Sequence, residues 1–153
     1  MIKSTITEAK IRHLELANPL RFASGASLFN VILEMKNKKQ SCVLICDGDY
    51  CVGIFTERDY LNKVFGQDIH TSARVDEFMS RDPRTLTVNE TLGQAIRLMH
   101  ENGFRNIPLT DQAGKCAGLL RIRDIVDFLA ETFPEEVLNV PPRPERFDAP
   151  DGA

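Results

Sequence analysis

Two short segments carry the residues whose types and spacing could recognise a ligand. The first is Gly53-Ile54-Phe55-Thr56-Glu57-Arg58-Asp59; the second, 65 residues on, is Gly118-Leu119-Leu120-Arg121-Ile122-Arg123-Asp124. Each runs from a strand-like apolar stretch into the start of a helix. Free N–H groups at a helix start attract an anion. The Thr56 hydroxyl can join them on a phosphate, and a carboxylate such as Asp59 is the natural partner of a ribose diol. The same residues also make an ordinary helix start, with Thr56 as N-cap and Asp59 three residues on, as in a capping box. In the second segment Arg121 has no acceptor oxygen for a cap, yet Asp124 is still present. That leans towards a role for the carboxylate beyond capping, although any first-turn carboxylate gains from the helix dipole. Arg58 and Arg123 lie against that dipole, which invites an anionic partner.

Other chemistries lack their constellations. Cys42, Cys46, Cys51 and Cys116 form no Cys-x-x-Cys pair, and His13, His70 and His100 are scattered, so no metal site is expected. No cysteine stands in a nucleophile motif beside a base. All four fall in apolar runs, as small buried hydrophobes of a reducing compartment do. Neither an enzyme nor a required cofactor is expected. The 153 residues are 42% apolar and 27% charged, with a formal net charge of −3. That is ordinary for a soluble globular protein and unsuited to nucleic acid, which needs a basic face. No apolar run approaches the ~18–20 residues of a membrane span. The opening MIKSTITEAK has no apolar secretion core, so the expected location is cytoplasmic.

The elements that position these segments occur twice. Leu28, Val31, Ile32 and Met35 make one apolar helical stripe, and Leu92, Ala95, Ile96 and Met99 repeat it 64 residues later. Each stripe is followed by an apolar run (Cys42-Val43-Leu44-Ile45, then Asn106-Ile107-Pro108-Leu109), a turn containing Asp47-Gly48 or Asp111-Gln112-Ala113-Gly114, a second run, and a second helix near Asp59 or Asp124. The spacing predicts a mixed α/β (α+β) chain of two β-α-β-β-α repeats about a pseudo-twofold axis, with small sheets packed on helices and two equivalent clefts between the halves. One repeat of about 60 residues buries little by itself. Residues 1–68 hold the first repeat and a lead-in, 69–83 a linker with a short helical turn, 84–133 the second repeat, and 134–153 a tail. In that tail Pro141-Pro142-Arg143-Pro144 must be extended.

The Gly-apolar-x-Thr-x-x-Asp segment after a strand, its counterpart 65 residues on, Gly103-Phe104-Arg105-Asn106-Ile107-Pro108-Leu109 and Met79-Ser80-Arg81-Asp82-Pro83 together resemble the CBS (cystathionine β-synthase) domain pair, or Bateman module, over residues 5 to 133. The resemblance implies a non-catalytic regulatory module that binds AMP, ADP, ATP or S-adenosylmethionine between its repeats. It implies one cleft of Ile54, Thr56, Asp59, Ser41 and Cys42 with Ser80, Phe104, Arg105 and Asn106. It implies a second of Leu119, Arg121, Asp124, Arg105 and Asn106, closed by Phe22, Gln40, Ser41 and Cys42. Phe22 and Phe104 have a second reading as core, and Lys36, Lys38 and Lys39 are either a solvated helix end or a basic rim.

Two departures from the pattern bear on ligand use. Arg121 replaces the hydroxyl residue, either to pair with phosphate or to fill its cleft. Leu44 stands where proline is usual. The apolar helices after Asp59 and Asp124 are expected to bury a homodimer surface. Output is expected to reach an effector protein in trans. The alternative is a dimerisation scaffold with empty clefts.

Overall fold

Local sequence sets the helix limits. In a computed structural model that describes residues 7–133, α1 (Leu28–Lys38) starts at Ser27, whose side chain accepts the Asn30 N–H, and stops at Lys39 in a left-handed conformation. Its counterpart α3 (Leu92–Asn102) starts at Thr91 in a capping box with Gln94 and stops at left-handed Gly103. Such starts and stops satisfy the orphan groups at helix ends. The inward stripes are Leu28, Val31 and Met35 in one and Leu92, Ala95 and Met99 in the other. Ile32 and Ile96 sit about 100° further round each helix; Ile32 is half-buried against the first repeat's core while Ile96 is 39% exposed, so the expected four-residue stripe holds in α1 and narrows to three in α3.

Strands β1 (Leu20–Ala23), β2 (Cys42–Asp47), β3 (Tyr50–Thr56) and β4 (Ser80–Arg81) form one sheet in that order. Strands β5 (Leu86–Thr87), β6 (Asn106–Thr110) and β7 (Cys116–Arg121) form the other. β1 runs parallel to β2 and β5 parallel to β6, while the hairpin pairs β2–β3 and β6–β7 are antiparallel. Both hairpins carry a register irregularity at the same place, after Ile45 and after Leu109. The predicted α/β repeat order is therefore the observed one. The second helices differ. After β7 comes a regular α4 (Ile122–Thr132), whereas after β3 a single turn α2 (Glu57–Asp59) passes into a π-helical turn, Tyr60–Val64, closed by the Phe65 N–H to the Tyr60 carbonyl at 2.8 Å.

Each repeat's core is closed by the segment that precedes the other repeat's first strand. The linker forms a 3-10 turn, Val75–Glu77, and buries Val75 with Leu28, Val31 and Phe55 of the first repeat. The lead-in forms a matching turn, Ile11–His13, and buries Ile11 and Leu14 with Leu92, Ile107 and Leu120 of the second. The bonds repeat as well: Leu28 donates to the Ala73 carbonyl and Val75 to Ala26, while Leu92 donates to Ala9 and Ile11 to Glu90. Residues 9–16, which chain order groups with the first repeat, thus belong to the second repeat's core. A repeat of this size has too little apolar surface to close its own end.

The repeats meet through a third cluster, in which Cys42, Leu44, Cys46 and Ile54 of the first sheet pack on Leu119 of the second, flanked by Cys51 and Cys116. Leu44, at the position where the resemblance leads one to expect proline, is buried there. Cys116 N–H donates to the Asp49 carbonyl at 2.7 Å across this seam. The Pro-rich tail expected from residue 134 onward lies outside the described residues.

Candidate functional site

Each second helix is pinned at its start by the passage that leads into the middle strand of its own repeat. Glu57 N–H donates to the Ser41 carbonyl at 3.0 Å, and Ile122 N–H to the Arg105 carbonyl at 2.9 Å. These equivalent bonds hold Asp59 and Asp124 in the same backbone setting, and both side chains are buried. Their partners are different in kind.

Asp59 Oδ2 accepts the Thr56 N–H at 3.0 Å and the Thr56 hydroxyl at 3.2 Å, and the Asp59 N–H returns a bond to that hydroxyl at 3.3 Å. Oδ1 accepts the Ser80 hydroxyl at 3.1 Å and lies 3.0 Å from Lys63 Nζ. A carboxylate offers about four lone-pair sites, so any further hydroxyl would have to displace Ser80 or Lys63. Both can leave cheaply: a serine hydroxyl turns about one bond, and Lys63 keeps its bond to the Phe78 carbonyl.

Asp124 is spent on Arg121. Oδ2 accepts the Arg121 backbone N–H at 2.8 Å and Nε at 3.2 Å, and Oδ1 accepts Nη2 at 2.8 Å. This is the two-pronged guanidinium–carboxylate geometry that makes such pairs strong. The hydrogen bond to Asp124 raises the Arg121 pKa above its ordinary value. A fixed side chain therefore occupies the polar atoms that the second motif would offer.

Beside Asp59 opens a cleft of about 730 Å³ between the repeats. It is lined by Ser41, Ile54, Thr56, Asp59, Ser80, Phe104, Arg105, Asn106 and Arg121 of the residues expected from sequence. The other five expected residues lie elsewhere. Cys42 and Leu119 are in the core between the sheets, because successive strand side chains alternate faces and theirs point across the seam. Asp124 is buried behind Arg121. Phe22 packs on the first repeat's core, its second reading. Gln40 lines a separate groove with Met35, Lys36 and Tyr60. The structure adds Arg58, Arg81, Asp82, Arg84 and Arg123 to the wall. The exposed linker arginines carried no periodic signal; only the tertiary folding of β4 onto β3 brings them to the cleft.

Cys42 and Cys51 keep their protons at neutral pH. Burial, then the neighbouring Cys51 thiol, pushes Cys42 far above its ordinary value, and burial with nearby Cys46 and Cys116 pushes Cys51 up to about 11. Among the described residues no group of three or more His, Cys, Asp or Glu is arranged to hold a metal ion, and no helix is long and apolar enough to cross a membrane.

Comparison with known proteins gives a consistent set of likenesses. The CBS domain family model matches residues 11–66 and 75–131. An uncharacterized protein of Acidianus ambivalens is 31% identical over 99 residues, which cover 64% of this chain and 59% of that relative's own length. A putative signal-transduction protein with CBS domains from Burkholderia ambifaria superimposes with a TM-score of 0.69 at 27% identity, covering 82% of this chain and 93% of that one. A CBS domain protein from Pyrobaculum aerophilum complexed with AMP superimposes with a TM-score of 0.70 at 20% identity, covering 80% and 98%.

Proposed function

Because the chain belongs to the CBS domain family, we propose that it is a non-catalytic regulatory module that binds an adenosine-containing ligand (AMP, ADP, ATP or S-adenosylmethionine) in the Asp59 cleft and signals to a partner protein in trans. The observation that carries this reading is the buried Asp59 carboxylate. It faces a cleft of about 730 Å³, with Ser80 and Lys63 as exchangeable partners. A site of that volume suits a small-molecule ligand. The AMP complex of the Pyrobaculum aerophilum relative supports the ligand class. Phe104 and Ile54 supply apolar surface for a base, while Arg105 and Asn106 supply polar atoms from the opposite repeat. One ligand binds per chain, since Arg121 holds Asp124, the carboxylate that the second repeat would offer.

The module works in the cytoplasm as a homodimer. The exposed apolar side chains of Leu61, Phe65, Ile122 and Val126 support burial of these helices against a second copy. A regulatory effect requires the ligand to prefer one arrangement of the repeats. A second reading, a dimerisation scaffold with empty clefts, is favoured by the Arg121–Asp124 pair, which spends one motif carboxylate on the chain itself.

Thermal shift separates the two. A ligand at 100 times its dissociation constant adds about 2.7 kcal/mol, several degrees in melting temperature. The expected result is a shift with at least one adenosine ligand that Asp59→Ala abolishes and Asp124→Asn leaves in place. Unmoved melting curves at millimolar ligand would leave the scaffold reading.

A further inference from the structure

The cleft is strongly basic although the chain is acidic. Its wall carries Arg58, Arg81, Arg84, Arg105, Arg121 and Arg123 against Glu57, Asp59 and Asp82, in a protein of net charge −3. Three of these arginines are committed within the fold. Arg58 donates to the Gly103 carbonyl at 3.2 Å, Arg81 to the Asp76 carbonyl at 3.0 Å, and Arg121 to Asp124. The remaining three, Arg84, Arg105 and Arg123, are exposed, and their guanidinium groups make no hydrogen bond or ion pair among the described residues. They come from separate elements: the linker, the passage into β6, and the first turn of α4.

Convergence of uncommitted guanidinium groups on one concave site has an electrostatic cost. Like charges repel, and Arg123 also opposes the α4 dipole. Scattered solvated arginines would not need to share a cleft. An anion with several charges relieves the repulsion. Guanidinium groups match phosphate oxygens two at a time, and the low-dielectric walls of a cleft focus the field.

Resting on the adenosine reading above, we propose that this cleft selects adenine nucleotides with two or more phosphates. Arg84, Arg105 and Arg123 hold the phosphate chain, and a monophosphate or a cationic sulfonium nucleoside binds more weakly. AMP leaves part of this charge unmatched, and the sulfonium of S-adenosylmethionine is repelled. Because the arginines themselves neutralise the phosphates, the preference does not depend on a divalent cation.

Isothermal titration with AMP, ADP, ATP and S-adenosylmethionine, in EDTA at low and high salt, tests this. ATP and ADP are expected to bind at least about tenfold tighter than AMP at low salt, and S-adenosylmethionine weaker than AMP. The ATP advantage should shrink as salt screens the charges. The triple variant Arg84→Gln, Arg105→Gln, Arg123→Gln should bring the ATP-to-AMP affinity ratio down to about one. The glutamines keep side-chain length and polarity, and circular dichroism checks the fold. Binding of AMP or S-adenosylmethionine as tightly as ATP, or an unchanged ATP-to-AMP ratio in the folded triple variant, would overturn the selectivity and leave the adenosine reading standing. Absence of any adenosine ligand binding, or inorganic tripolyphosphate binding as tightly as ATP, would overturn both.

Discussion

Replacing Arg121 by threonine rebuilds in the second repeat the helix start that the first repeat has at Thr56. Two guanidinium bonds to Asp124, at 2.8 and 3.2 Å, are lost. Removing one partner of a fully buried ion pair costs about 3–5 kcal/mol. Arg121 is 20% exposed while Asp124 is 3% exposed, so water reaches one partner only; the cost of Arg121→Ala then falls to about 2–3 kcal/mol. Threonine restores part of it. The backbone N–H of residue 121 still reaches Asp124 Oδ2 at 2.8 Å. The new hydroxyl can accept the Asp124 N–H and donate to the carboxylate, as Thr56 does with Asp59. A cap of that kind is worth about 1 kcal/mol, leaving Arg121→Thr destabilised by roughly 1–2 kcal/mol and above Arg121→Ala in stability. Urea unfolding gives the order of stabilities, and titration calorimetry gives the stoichiometry. The wild type should bind one ligand per chain and Arg121→Thr two, since the Asp124 carboxylate is freed. A wild-type stoichiometry of two, or a folded threonine variant that still binds one, would refute the idea that Arg121 withholds Asp124 from a second ligand.

Further expectations concern the core and the thiols. Ile11→Ala, at a fully buried position of the second core, should cost about 2–4 kcal/mol. Hydrogen exchange should then quicken in α3 and β6 rather than in α1 and β2, and loosening confined to the first repeat would contradict the exchanged lead-ins. Cys51, raised to about 11 by burial and the neighbouring thiols, and the raised Cys42 and Cys46, keep their protons in the folded state where an unfolded thiol would lose them. Stability should therefore hold steady below the ordinary thiol value of 9.0 and fall as pH rises from there towards 11. The slope stays under about 1.4 kcal/mol per pH unit per thiol, because folded and unfolded states differ by at most one bound proton at each. Urea midpoints between pH 7 and 10 in reductant read this out, and a midpoint that does not decline above pH 9, or declines equally in a Cys51→Ala variant, would count against burial of the thiol form.

Periodicity made the fold legible. Leu28, Val31 and Met35, repeated at Leu92, Ala95 and Met99, carry a helical period, and the turns at Gly48 and Gly114 mark two hairpins. The same information could not reveal that Ile11 packs on Leu92 rather than on Leu28, because both choices satisfy one apolar stripe and only tertiary packing decides. The π-helical turn at Tyr60–Val64 was equally hidden, since DYLNKVF reads as an ordinary helix. In the site, neighbouring residues went separate ways. Ser41 lines the cleft whereas Cys42, one step along and on the opposite face of the strand, lies in the core between the sheets. The motif carboxylates were visible in sequence, but the bond between Arg121 and Asp124 that distinguishes them follows from a rotamer.

The exchanged lead-ins also set an order on synthesis. The first repeat needs nothing beyond Met79 to close its core. It is complete while the second repeat is still being made. Ile11 and Leu14, made before the first repeat, have no core to join until Leu120 and Ile125 follow. At roughly 5–20 residues per second, that is a wait of about 5–20 seconds. During that interval the folded first repeat carries an unpartnered apolar segment ahead of it, until Leu120 and Ile125 arrive to cover Ile11 and Leu14.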